Sequence, residues 1–266
     1  ATLGTAVVET DSGRTLRAYG SFPHPNIFGG YLAVSLVLLA WTSRFIRDRW
    51  QLFMLSIPVV ILSSTLIMTF SRGAWFSIIA SGLVLIALML WLRKMPPSRA
   101  IPLFTLGLVT TLITLGIFHN QLIARFDPSL SIEATSIEER ASQYTSFNDV
   151  FFSAPLLGAG PGAYVVQLSG IDPGNPAWSY QPIHNAILLV MAEIGIIGWL
   201  LALRWIVMMD RRSHGAWRTP NGIFALALGT TLLVVSLFDH YPWSLWSGLA
   251  LSALSFGIIT RWSLDT

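Results

Sequence analysis

Two arginines and one histidine are the residues in this sequence most able to do chemistry. Arg72 and Arg140 are permanently charged, and the planar guanidinium group binds phosphate oxygens in pairs. His184 has an ordinary pKa of about 6.5 and can take a proton from an incoming hydroxyl group. These residue types suit a reaction on an anionic substrate, provided that the fold brings them to one place.

Arg140 lies in a stretch that is predicted to form an amphipathic helix on the membrane surface. Ser136 and Glu139 have the spacing of a capping box, which predicts the start of the helix, and Ala154-Pro155 ends the pattern. Steps of four, three and four place Arg140 on one face with Tyr144, Phe147 and Phe151. Its guanidinium group is therefore expected at an apolar edge. The alternative is an arginine that extends toward lipid headgroups.

The next segment contains glycine at three alternate positions, Gly158, Gly160 and Gly162. Glycines let a backbone approach a ligand closely or turn its amides toward an anion. A Pro-Gly turn that joins two helices has the same pattern. We assign these glycines to positioning and substrate binding, and not to catalysis.

His184 and Asn185 stand at the outer end of a predicted span, after Trp178 and Tyr180, which are typical of the membrane interface. The alternative role for His184 is a helix cap or an interfacial residue. Glu193 lies some 13 Å deeper along the same helix, by helical rise. A carboxylate at that depth is either functional or paired with another helix.

Two short turns carry further charged residues. Arg72 lies in the turn between the second and third predicted spans, where it could meet an anion or cap the C-terminus of a helix. Asp239 and His240 occupy the turn between the sixth and seventh spans. Asp239 could orient another group or pair with Arg72.

The composition is that of an integral membrane protein. Apolar residues make up 53% of the chain and charged residues 11%. Seven stretches are long enough to cross about 30 Å of hydrocarbon, and they lack the alternation of barrel strands, which predicts helices. We predict spans at residues 26–43, 51–70, 74–92, 101–118, 183–203, 222–238 and 244–260. The chain is expected to form a single membrane domain, residues 1–266, with a large loop, residues 119–181, inserted between spans four and five.

Basic residues fall in alternate connections, which predicts the orientation of the spans. The arginine-rich and lysine-rich connections are placed in the cytoplasm by the positive-inside rule, which puts the 119–181 loop on the outer side. These connections contain Arg44, Arg47, Arg49, Arg93, Lys94, Arg99, Arg204, Arg211, Arg212, Arg218 and Arg261. Because they are scattered over short connections without a continuous stripe, nucleic acid is not expected as a partner.

Several classes of site have no sequence signal. The chain has no cysteine and therefore no thiolate metal site, and it lacks an Asp-x-Asp pair, a His-Glu-x-x-His helix, a Walker loop and a nucleophile elbow. No metal ion and no cofactor are predicted. Residues 1–25 are polar, are predicted to lie outside and do not resemble a signal peptide, and we expect the chain to be part of a longer protein whose earlier spans are missing.

Taken in order, the motifs resemble the O-antigen ligase and polymerase superfamily of bacterial inner membranes. No single motif is specific, but their order and topology together are, and the resemblance covers nearly the whole chain. The matching motifs are Phe22-Pro23-His24-Pro25-Asn26, Ser71-Arg72-Gly73-Ala74, Glu139-Arg140, Gly158-x-Gly160-x-Gly162, His184-Asn185, Glu193-Ile194-Gly195 and Phe238-Asp239-His240-Tyr241.

The resemblance implies an all-helical membrane fold of the GT-C type and a metal-independent, inverting glycosyltransferase. Its donor would be a glycan linked to undecaprenyl diphosphate, and its acceptor a hydroxyl group of a glycan, lipid or protein. Arg72 and Arg140 would hold the diphosphate, His184 would orient or deprotonate the acceptor, and Arg125 is a third candidate. We further assign substrate binding to Asn185, Asp239 and His240, beside the three glycines named above.

Alternative functions remain open at this point. Ligase and polymerase share these motifs, so a polysaccharide polymerase is the nearest alternative. A small-anion transporter would use Arg72, Glu193 and Asp239 to line a pathway, but it would need polar residues along several spans. A non-catalytic scaffold of a cell-envelope assembly is the third alternative.

Overall fold

The computed structural model describes residues 5–10, 13–94, 100–127, 131–212 and 215–263, without the side chains of residues 131–137, 178 and 209–212. The predictions that involve Arg99 and the side chains of Ser136, Trp178, Arg211 and Arg212 lie outside these described residues.

The described part of the chain is a helical bundle with one small hairpin. Strands β1 (Val7–Thr10) and β2 (Gly13–Leu16) pair in antiparallel register. The helices that follow are α1 (Pro25–Thr42), α2 (Arg49–Met68), α3 (Arg72–Trp91), α4 (Ile101–Ile117), α5 (His119–Ala124), α6 (Ser131–Ser153), α7 (Tyr164–Ile171), α8 (Ala186–Arg212), α9 (Pro220–Phe238), α10 (Tyr241–Ser244) and α11 (Trp246–Ser263).

The protein is a multi-pass membrane protein. Among the described residues, five helices are long and apolar enough to cross a membrane: Pro25–Phe45, Arg49–Met68, Arg72–Trp91, Ala186–Met208 and Pro220–Phe238. Ile101–Ile117 is a shorter apolar helix, and Trp246–Ser263 occupies the seventh predicted span. All seven predicted segments are therefore helical, and the number that spans the bilayer stays a prediction.

The core of the bundle is formed by α1, α3 and α9. Ile27, Phe224 and Leu228 are almost completely buried in its main apolar cluster. Glycines in α1 permit close helix contacts, because a Cβ on Gly29 would lie 2.9 Å from the Cβ of Ala74. Many other large apolar side chains, such as Leu83 and Leu108, are exposed, as expected for surfaces that face lipid.

The two ends of the bundle carry different residues. At one end, Arg44 donates to the amide oxygen of Asn221 at 2.8 Å, and Lys94 donates to the carbonyl of Arg218. The predicted site residues gather at the other end, where the N-termini of α1, α3 and α8 meet the C-termini of α2 and α9. The separation of the basic connections from the site residues, expected from the sequence, is therefore present in the fold.

Two details of the helices differ from the sequence prediction. The start predicted for α6 was wrong, because the helix begins at Ser131 and not at Ser136, although it ends at Ser153 as predicted. A capping box stabilises a helix start by only about 1 kcal/mol. The helix gains more by continuing through an additional turn before Ser136. The span predicted as continuous over residues 183–203 is interrupted at Gly195, whose φ is 65° and ψ is 179°.

Candidate functional site

Three arginines line one cavity at this end of the bundle. Arg72, Arg125 and Arg140 surround it together with Asn26, Asp239 and Tyr241, and it is partly open to solvent. The arginines come from three separate parts of the chain. The fold therefore brings together the cations that the sequence analysis singled out.

Arg72 and Arg125 are held by backbone carbonyls. Arg72 begins α3 directly after Ser71, whose side chain caps the helix, and its Nη1 donates to the carbonyl of Arg125 at 3.0 Å. Arg125 is 8% exposed, and its Nε donates to the carbonyl of Phe70 at 3.3 Å. Both carbonyls lie at helix C-termini, where a cation is favoured. These hydrogen bonds fix the guanidinium groups beside the cavity.

Arg140 reaches the cavity because α6 packs against α8. Phe147 and Val150 on α6 are buried in a cluster that includes Leu189 and Ala192 of α8. Arg140 lies two turns before Phe147 on the same helix face and is half-buried. The apolar packing of α6 thus sets the position of the cation, and the expected location at an apolar edge is consistent with this packing.

Asp239 is the only acidic side chain among the described residues that line the cavity. It is 8% exposed, its Oδ2 accepts from the side-chain amide of Asn26 at 2.8 Å, and its Oδ1 accepts from the backbone N–H of His240 at 2.8 Å. Burial alone would raise the pKa of Asp239, but His240, His184 and the Asn26 hydrogen bond hold the pKa below its ordinary value. The carboxyl group is therefore ionised at neutral pH.

Arg17 extends this hydrogen-bonded chain toward the N-terminal hairpin. Its Nη2 donates to the Oδ1 of Asn26 at 2.6 Å, and its Nε donates to the carbonyl of Thr69 at 2.7 Å. Arg17 is 6% exposed. A buried charge with these partners orients the Asn26 amide, so that the NH2 group of Asn26 points to Asp239.

His184 lies beside Asp239 at the start of α8. Its backbone N–H and its Nδ1 both contact the Oε1 of Gln143, at 3.0 and 2.9 Å. Its ring meets the ring of His240 edge-on, with centroids 5.3 Å apart. Burial lowers the pKa of His184 and outweighs Asp239, which raises it, while His240 and Arg140 lower it further. His184 is therefore neutral at pH 7 and able to accept a proton.

His24 is a further imidazole in the same cluster. It precedes α1, and its Nδ1 accepts from the backbone N–H of Asn26 at 3.2 Å. Burial and the nearby charge of Arg17 lower the pKa of His24 to about 4, against the opposing effect of Asp239. Among the described residues, three histidines thus share one buried carboxylate.

His184, Asp239 and His240 could offer ligand atoms to a metal ion, because one such atom of each lies within 4.8 Å of the others. The ligand atoms of a tetrahedral zinc site lie about 3.3 Å apart, given Zn–N distances of about 2.0–2.1 Å. The Nε2 of His240 is 4.0 Å from the Oδ1 of Asp239, which is wider than this. The arrangement fits an acid–base cluster better than a zinc site.

The glycine segment packs against the break in α8. The carbonyls of Ala192 and Glu193, freed by the break at Gly195, accept from the N–H groups of Ala159 and Gly160 at 3.0 and 2.9 Å. The N–H groups of Ile196 and Ile197 donate in return to the carbonyls of Pro155 and Leu156. Backbone groups that would be unsatisfied at membrane depth are thereby paired.

Glu193, which lies on α8, accepts hydrogen bonds from this segment. It is 3% exposed, and its carboxyl oxygens accept from the N–H of Gly162 at 2.9 Å, the N–H of Tyr164 at 3.4 Å and the indole N–H of Trp243 at 2.7 Å. Since Trp243 lies on α10, Glu193 ties the glycine segment to the turn that carries Asp239 and His240. Of the two alternatives for Glu193, a functional carboxylate or one paired with another helix, these contacts show the pairing.

A model of the O-antigen ligase family matches residues 57–203, which is more than half of the chain. The chain belongs to the O-antigen ligase family. No curated protein matches it. The match includes Arg72, Arg125, Arg140 and His184, whereas Asp239 and His240 lie beyond it.

In this O-antigen ligase family member, the predicted site residues divide into two groups. Arg72, Arg125, Arg140 and Asp239 line the cavity, and His184 and His240 lie beside Asp239. The second group consists of residues whose polar groups bond within the protein. In this group, the Oδ1 of Asn185 caps α8 by accepting from the N–H groups of Ile187 and Leu188. The N–H groups of Gly158, Gly160 and Gly162 donate within the protein, so their role in substrate binding stays a prediction.

Arg17, Asn26 and Gln143 were not predicted from the sequence to be site residues. Asn26 stands in a motif directly before the first span, on the side that carries the other site residues. Gln143 lies three residues after Arg140, on the same helix face. The positions of Asn26 and Gln143 in the sequence were thus signals for a site residue. Neither signal distinguishes a site residue from a helix cap or a solvated polar side chain.

Proposed function

We propose that this protein is a glycosyltransferase that moves a glycan from undecaprenyl diphosphate to an acceptor hydroxyl group, as an O-antigen ligase does. The observation that carries this proposal is the cavity lined by Arg72, Arg125 and Arg140 in a member of this family. A second polysaccharide chain as acceptor would make the protein a polymerase of the same superfamily.

The arginines suit a diphosphate leaving group. When the bond between the sugar and the diphosphate breaks, negative charge grows on the phosphate oxygens, and guanidinium groups placed there stabilise it. Arginine stays charged at every relevant pH and binds two oxygens at once. Three arginines at one cavity can therefore supply the charge that a divalent cation supplies in other glycosyltransferases. We accordingly propose that the reaction needs no metal ion.

His184 is proposed as the general base, with Asp239 as its electrostatic partner. The proton of the acceptor hydroxyl passes to the imidazole of His184, and the acceptor oxygen forms a bond to the anomeric carbon. The bond from that carbon to the diphosphate oxygen breaks, and its electron pair leaves with undecaprenyl diphosphate. Attack opposite the leaving group inverts the anomeric configuration. The ionised Asp239 stabilises the imidazolium that forms.

The membrane arrangement is part of the proposal. We propose seven spans in a GT-C-like fold, with residues 119–181 forming the loop on the periplasmic side of the bacterial inner membrane. The positive-inside rule supports this orientation, because the connections that contain Arg44, Lys94 and Arg218 lie at the opposite end of the bundle from the cavity. A lipid-linked donor would then enter from the outer leaflet.

Single substitutions of Arg72, Arg140 and His184 by alanine test the proposal. In the native protein reconstituted into lipid vesicles, each should lower transfer from a labelled undecaprenyl-diphosphate glycan by about 100-fold or more. Arg47→Ala is the matched control, since Arg47 is an exposed arginine at the other end of the bundle, and it should retain transfer. Near-normal transfer by all three site variants would refute the assignment.

A further inference from the structure

Gln143 makes two contacts with His184 through one oxygen. Its Oε1 lies 3.0 Å from the backbone nitrogen of His184 and 2.9 Å from the ring Nδ1 of the same residue. Gln143 is on α6 and His184 directly precedes α8, so the two residues are 41 positions apart in the chain. The contact is therefore a product of the tertiary fold.

This pair of contacts determines which ring nitrogen carries the proton. A backbone N–H can only donate, so the Gln143 atom that it meets must be the amide oxygen. That oxygen can only accept, so the Nδ1 that contacts it must carry a hydrogen. In the neutral imidazole the other nitrogen, Nε2, then holds the lone pair.

We propose that Gln143 is the positioning residue that holds His184 in the Nδ1–H tautomer and thereby leaves Nε2 as the atom that accepts the proton from the acceptor hydroxyl. This inference rests on the proposed function, in which His184 is the general base. A general base works only when its lone pair faces the proton that it removes. The hydrogen bond from the backbone N–H keeps the Gln143 oxygen in place while the ring is neutral or protonated.

The same helix places the phosphate-binding cation and the partner of the base. Arg140 and Gln143 are three residues apart on α6 and share one face of it. The other groups that face His184 are Asp239 and His240 from the turn before α10 and His24 from the start of α1. Of all these residues, Gln143 is the one that hydrogen-bonds to the His184 ring in the described part of the chain.

The tautomer can be measured without turnover. In the native protein labelled with ¹⁵N-histidine and embedded in lipid, the His184 signals are identified by their absence from the His184→Gln variant. Their ¹⁵N shifts should show Nδ1–H with a free Nε2 in the wild type, and a mixture of both tautomers in Gln143→Leu. An Nε2–H tautomer in the wild type, or an unchanged tautomer in Gln143→Leu, would overturn the proposal.

Kinetics supply the functional readout. Gln143→Leu should lower kcat for glycan transfer by about 100-fold and leave the KM for the donor within about twofold, because the arginines are unchanged. Gln143→Glu keeps an oxygen that accepts from both donors and adds a negative charge that favours the imidazolium. It should retain more activity than Gln143→Leu. As the pH is lowered, its transfer rate should begin to fall at a pH about one unit higher than in the wild type, because His184 is protonated earlier.

Ser142→Ala is the matched control on the neighbouring position, because Ser142 is exposed and donates to the carbonyl of Glu139 on its own helix. It should behave as the wild type. An unchanged kcat in Gln143→Leu while His184→Gln abolishes transfer would overturn the role of Gln143 alone. Full transfer by His184→Gln would instead refute the proposed function, whatever the tautomer.

Discussion

Replacing Gly195 by alanine should destabilise the protein strongly, because this glycine forms the break in α8. Its φ of 65° and ψ of 179° lie in a region that only glycine occupies readily. A Cβ at this position would lie 2.6 Å from the amide nitrogen of Gly158 and still closer to the carbonyl of Leu156. Both are backbone atoms that cannot rotate away.

The size of the destabilisation follows from two costs, that of the backbone conformation and that of the crowded Cβ. The backbone conformation costs a non-glycine residue about 1–3 kcal/mol, and an added methyl group in a tightly packed site costs about 1–3 kcal/mol. The total is about 4 kcal/mol, before any loss of the hydrogen bonds from Ile196 and Ile197 to the glycine segment. At about 2–4 °C per kcal/mol, the apparent Tm should fall by about 10 °C or more.

The assay is thermal unfolding of the purified protein in lipid nanodiscs, followed by intrinsic tryptophan fluorescence. Gly82→Ala is the control, because Gly82 lies within α3 and a Cβ there would meet nothing within 4 Å. It should keep or slightly raise the apparent Tm, since alanine favours a helix interior by about 0.5–1 kcal/mol. An apparent Tm for Gly195→Ala within 2 °C of the wild type (roughly the effect of 1 kcal/mol) would refute the reasoning.

Three further predictions concern the residues around the site. Glu193→Gln should lower stability by about 1–3 kcal/mol, seen as a lower apparent Tm. Glutamine has one side-chain oxygen, and when that oxygen accepts from Gly162 and Trp243 the NH2 group faces the N–H of Tyr164; an unchanged Tm would contradict this. His24 should make the free energy of unfolding of the wild type fall by about 3 kcal/mol as the pH drops from about 6.5 to 4, because the unfolded chain binds a proton that the folded His24 does not. Denaturation of His24→Gln should depend less on pH in that range, and the lowered pKa values of His184 and His240 should account for the dependence that remains. EDTA should leave glycan transfer unchanged, because the arginines supply the charge; loss of transfer that Mg²⁺ or Zn²⁺ restores would show that a metal ion takes part.

The long apolar helices were predictable because lipid imposes a strong constraint on sequence. A backbone in hydrocarbon must satisfy its own hydrogen bonds, so each span is a long apolar helix and can be read from hydropathy alone. The break in α8 was not predicted, because Gly195 resembles any other glycine in a span. The partner of this break is the segment 155–160, and pairing between such distant segments has no local signal.

The candidate site was predictable in its charges and less so in its geometry. Arg72 and Arg140 stand out because an arginine on the side of the membrane that is poor in basic residues is unusual. Sequence alone did not reveal that Asn26 donates to Asp239, because short polar side chains near helix ends usually act as caps. The glycines were assigned to positioning and substrate binding, and in the structure their N–H groups donate within the protein.

The most direct test of the account separates donor binding from glycan transfer. The affinity for undecaprenyl diphosphate should be measured for the wild type, Arg140→Ala and His184→Ala, each in nanodiscs and beside a transfer assay. Arg140→Ala should weaken binding by about tenfold or more, equal to about 1.4 kcal/mol, whereas His184→Ala should bind as the wild type and fail to transfer. Unchanged binding by Arg140→Ala together with normal transfer by His184→Ala would contradict the account.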